Sequence, residues 1–354
     1  MTKEIKCGNL IIGGNNPILI QSMTNVDTRD TKTLHRQIDE LKDAGADIVR
    51  VAIPNKEALE SFAEIKKHFK MPLVADIHFD YKLAIGAIRA GADKIRINPG
   101  NIGSDDRLKQ VISEAKEYQV PIRVGVNGGS ISKNIIQKYG GLTKEALIES
   151  AVETVRKIEN MNFENLVLSI KSSDVKMNYD AYAGISEILD YPLHVGVTEA
   201  GFGEMGKVKS IVGIGSLLIR GIGDTIRVSI TDNPVEEIKI AKEILWSIKE
   251  REKSIDIISC PTCGRTKINL IDIAEKVQAR LKDIEKDREK KGKKSLKIAI
   301  MGCPVNGPGE AASADFGITG TNGKGLIFAK GEIIEKTSED RLIDRLVELI
   351  GEAD

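Results

Sequence analysis

Two short stretches near the carboxyl end, "SCPTCG" at 259–264 and "MGCPVNGPGE" at 301–310, contain Cys260, Cys263 and Cys303, three of the four cysteines in the chain. Cys260 and Cys303 are each followed by proline, which fixes φ and removes a competing N–H. The CxxC spacing lets two thiolates reach one metal centre. A structural zinc site calls for a second CxxC or a histidine pair, and the last third of the chain has no histidine. A thioredoxin-like couple leaves Cys303 unexplained. Three cysteines, two of them Cys-Pro, point to an iron–sulfur cluster. Three thiolates leave one iron of a cubane cluster without a cysteine, and the candidates for that position are Cys7 and Glu310. Glu310 is favoured, because a hard carboxylate binds iron less tenaciously than thiolate and can yield to a substrate oxygen. The plainer alternative for Glu310 is a solvated loop carboxylate.

A second group of chemistry-bearing residues lies upstream. Arg50, Arg96, Arg123, Lys171 and Arg227 each fall within a short β-rich run, an unusual place for a cation. Around them stand Asp76 and His78 in "ADIHFD", Asn98 in "RINPG", Asn127 in "GVNGG", Glu199 in "GVTEAG", and Ser229. Guanidinium forks and an ammonium together make a receptor for an anion with several oxygens, such as a diphosphate. Some of these cations could instead point outward or pair with Asp76 and Glu199 in a polar layer. Glu199, ringed by cations, should be ionised before an anion binds and is a candidate for proton transfer. His78 reads equally well as a supporting histidine.

These residues need a scaffold, and its pattern is plain. Eight β-rich runs, at 18–23, 47–53, 72–77, 94–100, 121–126, 165–171, 193–198 and 225–230, alternate with amphipathic runs such as "KEALESFAEIKKHF" at 56–69. Eightfold β/α alternation fits a TIM barrel, whose catalytic groups gather at the carboxyl ends of the strands. "AGADIVRV" at 44–51 and "AGADKIRI" at 90–97 are a weak internal echo of such a repeat. After the charged stretch "SIKEREKS" at 247–254 the pattern changes to a CxxC loop, a long helix at 269–291, a strand at 296–301, a hairpin at 325–337 and a final helix. The expected architecture is therefore α/β, with a TIM barrel over 1–250 and a smaller α/β iron–sulfur domain over 251–354. At 354 residues, two cores are expected in any case.

Composition narrows the class. Lys and Arg number 52 against 52 Asp and Glu, so bulk charge demands neither nucleic acid nor an acidic membrane surface. The start "MTKEIKCGN" is charged where a secretory segment would be apolar, and no run approaches a membrane span. A soluble cytoplasmic protein is expected, in which clustered cysteines read as metal or redox chemistry rather than as disulfides.

Taken together, "QSMTNVDTRD", "VADIHFD", "KIRINPGNIG", "IRVGVNGGS", "LHVGVTEAG", "ISCPTCGR" and "MGCPVNGPGE" closely resemble the motifs of the 4-hydroxy-3-methylbut-2-enyl diphosphate synthases, the iron–sulfur enzymes of the methylerythritol phosphate route to isoprenoids. The resemblance spans essentially the whole chain, in the compact form of the family. It implies a [4Fe-4S] cluster held by Cys260, Cys263, Cys303 and Glu310. It also implies reductive ring opening of 2-C-methyl-D-erythritol 2,4-cyclodiphosphate, bound by Arg50, Arg96, Arg123, Lys171, Arg227 and Ser229 with Asp76, His78, Asn98 and Asn127 assisting. Glu199 matches the acidic residue near the reacting hydroxyl. The resemblance further implies ferredoxin or flavodoxin as electron donor, and a homodimer in which Asn306 reaches the partner's substrate. Two other classes compete: a barrel lyase or aldolase with a structural metal, and a non-catalytic cluster carrier, which would have no use for a row of arginines. The run Lys290, Lys291, Lys293 and Lys294 is a candidate docking point for an acidic redox protein.

Overall fold

The computed structural model describes residues 1–303, 311–321 and 324–353. The chain divides into two compact units, Met1–Arg251 and Glu252–Asp354.

The first unit opens with an antiparallel hairpin, β1 (Ile5–Cys7) and β2 (Leu10–Ile12), which the sequence pattern did not reveal because each strand is only three residues long. Eight parallel strands follow: β3 (Leu19–Met23), β4 (Ile48–Ala52), β5 (Leu73–Asp76), β6 (Lys94–Ile97), β7 (Ile122–Asn127), β8 (Leu166–Lys171), β9 (His194–Val195) and β10 (Thr225–Ile226). Their order is β8-β7-β6-β5-β4-β3-β10-β9, and a parallel bridge between Leu168 and Leu193 brings the two ends together, so the sheet is a nearly closed barrel. All eight expected strands are present. The last two are two residues long where six were expected, because at the mouth the chain leaves the ladder: Thr198 N donates to Ser172 O at 3.3 Å.

The barrel helices are α1 (Thr31–Ala44), α2 (Lys56–Lys66), α3 (Tyr81–Arg89), α4 (Asp105–Glu117), α5 (Lys133–Tyr139), α6 (Lys144–Glu159), α7 (Val175–Ser186), α8 (Gly203–Leu218) and α9 (Pro234–Ser247). Most start on a short polar side chain that accepts from the first turn, as Asp30 does from Thr33 N and Asn55 from Ala58 N. Their apolar stripes pack on the outward residues of the strands, among them Val49, Val51, Ile95, Ile97, Val124 and Leu168. Alternation then points Arg50, Arg96, Arg123, Lys171 and Arg227 inward. Ile5, Cys7 and Ile12 of the hairpin join Leu19, Ile48, Val74 and Val167 in an apolar floor.

The second unit is a five-stranded sheet in the order β11 (Ile255–Ser259), β12 (Leu296–Met301), β13 (Phe316–Thr321), β14 (Lys324–Ala329) and β15 (Glu332–Thr337). The first three strands are parallel and the last two close an antiparallel meander. The long helix α10 (Leu270–Lys291) and the terminal helix α11 (Leu342–Glu352) bury Val277, Leu281 and Leu346 against Ile298, Ile300, Ile318 and Ile327. Two strands escaped the sequence reading. β11 follows directly on the charged stretch and is half exposed, and β13 carries two glycines. Those glycines make room for packing: a Cβ on Gly317 would lie 2.2 Å from the Phe328 ring, and one on Gly320 would meet Ile268.

Among the described residues no helix is long and apolar enough to cross a membrane.

Candidate functional site

Register decides which inward residues become neighbours. Asp76 on β5 stands beside Arg96 on β6, Arg96 beside Arg123 on β7, and Asn127 beside Lys171 on β8. The five cations line one recess of about 100 Å3 at the carboxyl ends of the strands, with Gly125, Val126, Asn127, Ser169, Thr198 and Ser229. Close approach leaves little room at Gly125 and none at Gly196. A Cβ on Gly125 would lie 3.3 Å from Arg96 Nε, and one on Gly196 would lie 2.7 Å from Lys171 Nζ and 2.4 Å from Arg227 O.

Asp76 is the anchor of one half of the ring. Its Oδ1 is 3.2 Å from Arg96 Nη1, and its Oδ2 is 3.3 Å from His78 Nε2 and 3.9 Å from Arg50 Nε. Arg50 also directs Nε and Nη2 at Met23 Sδ, at 3.0 and 2.8 Å. Burial alone would raise the Asp76 carboxyl, but Arg50, the His78 hydrogen bond and Arg96 hold it well below the usual carboxylate range. On the other half, Arg227 Nη2 lies 3.6 Å from Glu237 Oε2, whose Oε1 accepts from Ile230 N at 3.1 Å.

The ring is short of negative charge. Burial lowers Arg50 to about 10, with Asp76 opposing the shift. Burial and then repulsion from Arg50 and Arg96 push Arg123 well below its ordinary value, and Lys171 is pushed down by burial, Arg123 and Arg227. Arg96 Nε, Arg227 Nε, and Nε and Nη1 of Arg123 are buried donors with no hydrogen-bond partner among the described residues. A multi-oxygen anion would supply both the missing charge and the missing acceptors.

Of the residues expected at this site, Arg50, Arg96, Arg123, Asn127, Lys171, Arg227 and Ser229 line the recess. Asp76 and His78 stand behind Arg96. Asn98 is buried and turned to its own loop, accepting from Gly100 N at 3.1 Å. Glu199 does not sit in the ring of cations. It is exposed after β9, makes no ion pair among the described residues, and holds φ at +51°, a left-handed value unusual for a side-chain-bearing residue. Ser169, Thr198 and Glu237 were missed. Glu237 could have been found, because it lies on the buried stripe of α9 with Ile240, Ala241 and Ile244, where a carboxylate needs a partner.

In the second unit the parallel pairing of β11 and β12 brings Cys260 and Cys303 to the same end of the sheet. Gly302 N donates to Cys260 Sγ at 3.2 Å, and Lys267 N to Gly302 O at 2.9 Å, so the CxxC loop folds back on Gly302. A Cβ on Gly302 would lie 3.0 Å from Thr266 Cγ2. Hydrogen bonds from Arg265, backbone and then side chain, hold the exposed Cys263 thiol below its ordinary value. All three thiols are free. Among the described residues they share one end of one sheet without closing on a common point. Free thiols with an N–H aimed at sulfur are a donor set suited to a cluster. Glu310 and Asn306 lie outside the described residues. The lysine run does not flank the thiols: Lys290 and Lys291 end α10 just before β12 starts at Leu296, whereas Cys303 follows its far end. A six-residue strand separates them by about 20 Å.

The GcpE TIM-barrel domain family model matches residues 2–242, and the GcpE protein C-terminal domain matches residues 256–352. A 4-hydroxy-3-methylbut-2-en-1-yl diphosphate synthase (flavodoxin) from Caldanaerobacter subterraneus is 52% identical over 350 residues, covering 99% of this chain and 96% of that one. The protein of the same name from Fusobacterium nucleatum is 54% identical over 351 residues, covering 99% and 97%. Among solved structures, a 7,8-dihydropteroate synthase from Vibrio fischeri aligns with a TM-score of 0.51 at 14% identity over 70% of this chain and 98% of that one. That likeness speaks for the barrel alone.

Proposed function

Because this chain belongs to the GcpE family, we propose that it is a cytoplasmic oxidoreductase that opens 2-C-methyl-D-erythritol 2,4-cyclodiphosphate and releases its C3 hydroxyl as water, giving 4-hydroxy-3-methylbut-2-enyl diphosphate. The observation that carries the substrate assignment is the ring of five inward cations, several with unpartnered donors, at the carboxyl end of the barrel. Arg50, Arg96, Arg123, Lys171, Arg227 and Ser229 hold the two phosphoryl groups, with Asn98 and Asn127 assisting. Asp76 and His78 fix Arg96, and Glu237 fixes Arg227. Neutralising buried like charges gives the diphosphate more affinity than the same groups would give it in water. Glu199, on the rim, protonates the departing hydroxyl.

Cys260, Cys263, Cys303 and Glu310 would hold a [4Fe-4S] cluster. Such a cluster supplies two electrons, one at a time, from flavodoxin, the donor in the relatives' names, or from ferredoxin. The chain acts as a homodimer, with Asn306 reaching the partner's substrate.

Anaerobic turnover of the cyclodiphosphate with a low-potential reductant, following product by mass, tests this reading. Product should form only with reductant present. Absorption near 400 nm in the anaerobic protein should vanish in Cys303→Ser. Conversion without a reductant would favour a barrel lyase, and absorption that survives in Cys303→Ser would remove that thiol from the cluster.

A further inference from the structure

Lys94 occupies a place that folding stability alone does not explain. It opens β6 two residues before Arg96, so it faces the barrel interior one layer deeper than the anion recess. It is fully buried, and among the described residues its Nζ has neither a hydrogen-bond partner nor a carboxylate at ion-pair distance. Below it is the apolar floor, where its register partner Val74 packs with Ile48, Val167 and Cys7. Burial lowers Lys94 to about 8; Cys7 opposes that shift, while Arg123 and Arg50 add to it. An unpaired ammonium in such surroundings destabilises the fold, and a methionine of similar length would not.

We propose that Lys94 is an electrostatic positioning residue for the diphosphate site, a sixth positive charge beneath the arginine ring that draws the phosphoryl groups down onto Arg96 and Arg123. The inference rests on the reading that a diphosphate binds there. Its contribution is differential: in the empty barrel the charge is repelled by its neighbours, and with the anion bound it is attracted. At an effective dielectric of about 20 and a separation of about 10 Å, one charge changes the affinity of a doubly negative anion by roughly a hundredfold or more.

The same placement gives a pH signature. A cyclic diphosphate has one strongly acidic hydroxyl on each phosphorus, so its charge is constant from mildly acidic to alkaline pH. Any change in affinity over that range comes from the protein. Arg50, Asp76, Arg96, Arg123, Lys171, His194 and Arg227 share the interior with Lys94, and Cys7 lies below. Lys171 is also lowered by burial, and Glu237 beside Arg227 is raised by it, so the wild-type profile is composite. His194 is held well below its ordinary value and Cys7 is pushed up to about 11, so neither changes charge near neutrality. The contribution of Lys94 is therefore the difference between the wild-type and Lys94→Met profiles.

Calorimetric binding of the cyclodiphosphate to full-length wild type and Lys94→Met, at pH 6.5 and pH 9.5, tests the proposal without turnover. The expected result is binding weaker by roughly a hundredfold or more in the variant at pH 6.5, a much smaller difference at pH 9.5, and a thermal midpoint at pH 6.5 no lower than wild type. Equal affinities at pH 6.5, or an equal loss at both pH values, overturns it. Should Lys94→Met fail to fold, Lys94→Gln replaces it with the same expectations. If the wild type does not bind the cyclodiphosphate, the functional reading fails. Lys94 is then judged with inorganic pyrophosphate at pH 6.5, where unchanged affinity in the variant overturns the inference.

Discussion

The carboxylate of Asp76 lies 3.2 Å from the Arg96 guanidinium, on adjacent parallel strands whose register sets the two residues side by side. Because Asp76 also contacts His78 and lies near Arg50, one buried negative charge organises three groups of the recess. Asp76→Asn should therefore destabilise the barrel by about 3 kcal/mol at pH 7 and weaken substrate binding. The folded-state carboxyl is depressed, so its stabilisation is present above the unfolded value near 3.9 and is lost as pH falls further. Urea melts of wild type and variant should differ most at pH 7, and the difference should shrink steadily as pH falls below about 4. A constant difference would show that Asp76 acts through packing alone.

Glu237 has the opposite sign. Burial raises its carboxyl even though Arg227 and the Ile230 N–H oppose the shift. A raised carboxyl weakens the fold as pH climbs through its folded value. Glu237→Gln should keep the contact with Ile230 N, match or exceed wild-type stability at pH 7 in thermal melts, and bind substrate several-fold more weakly because Arg227 loses its partner. Wild-type affinity in the variant would remove Glu237 from the site.

Gly196 has no room for a side chain. An alanine there must displace the Arg227 carbonyl, a backbone atom, as well as the Lys171 head. Gly196→Ala should lower stability by about 1–3 kcal/mol and reduce anion affinity together. Unfolding midpoints and pyrophosphate calorimetry would check both, and an alanine variant with native affinity would contradict the Lys171 placement.

Glu199 stands exposed on the rim in a left-handed backbone conformation. Glu199→Gln should leave the 400 nm absorption and substrate binding intact while slowing turnover by about 100-fold, the usual range for loss of a proton-transfer group. Unchanged single-turnover rates would exclude it from proton transfer.

The lysine run is a negative prediction. It sits at the opposite end of β12 from Cys303, so changing Lys290, Lys291 and Lys294 to glutamate should leave the Michaelis constant for a protein donor as it was. The cost should be a fraction of a kcal/mol of helix stability, from lost cations at the α10 carboxyl end. A raised constant for the protein donor, with a chemical reductant unaffected, would restore the run as a docking point.

Much of this site is legible in the amino-acid sequence. Cations inside β-rich runs stand out because strands of a barrel are otherwise apolar, and period-2 alternation carries Arg50, Arg96 and Arg123 to one face. Glu237 was not found because a first-turn glutamate looks like an ordinary favourable helix end; its place on the buried stripe with Ile240, Ala241 and Ile244 was the signal that could have revealed it. Lys94 was passed over because a lysine at the start of a strand reads as exposed, and only closure of the barrel buries it. β13 was hidden by Gly317 and Gly320, which lower strand propensity yet are demanded by Phe328 and Ile268.

The amino-acid order by itself determined the alternation of strands and helices, the spacing of the thiols, and which residues carry charge, because these follow from local periodicity and side-chain chemistry. The depth at which each charge lies, and the neighbour that it meets there, was decided by tertiary structure alone. Strand register and barrel closure join residues far apart in the chain, and burial then turns an ordinary lysine or glutamate into a group whose charge depends on its partners.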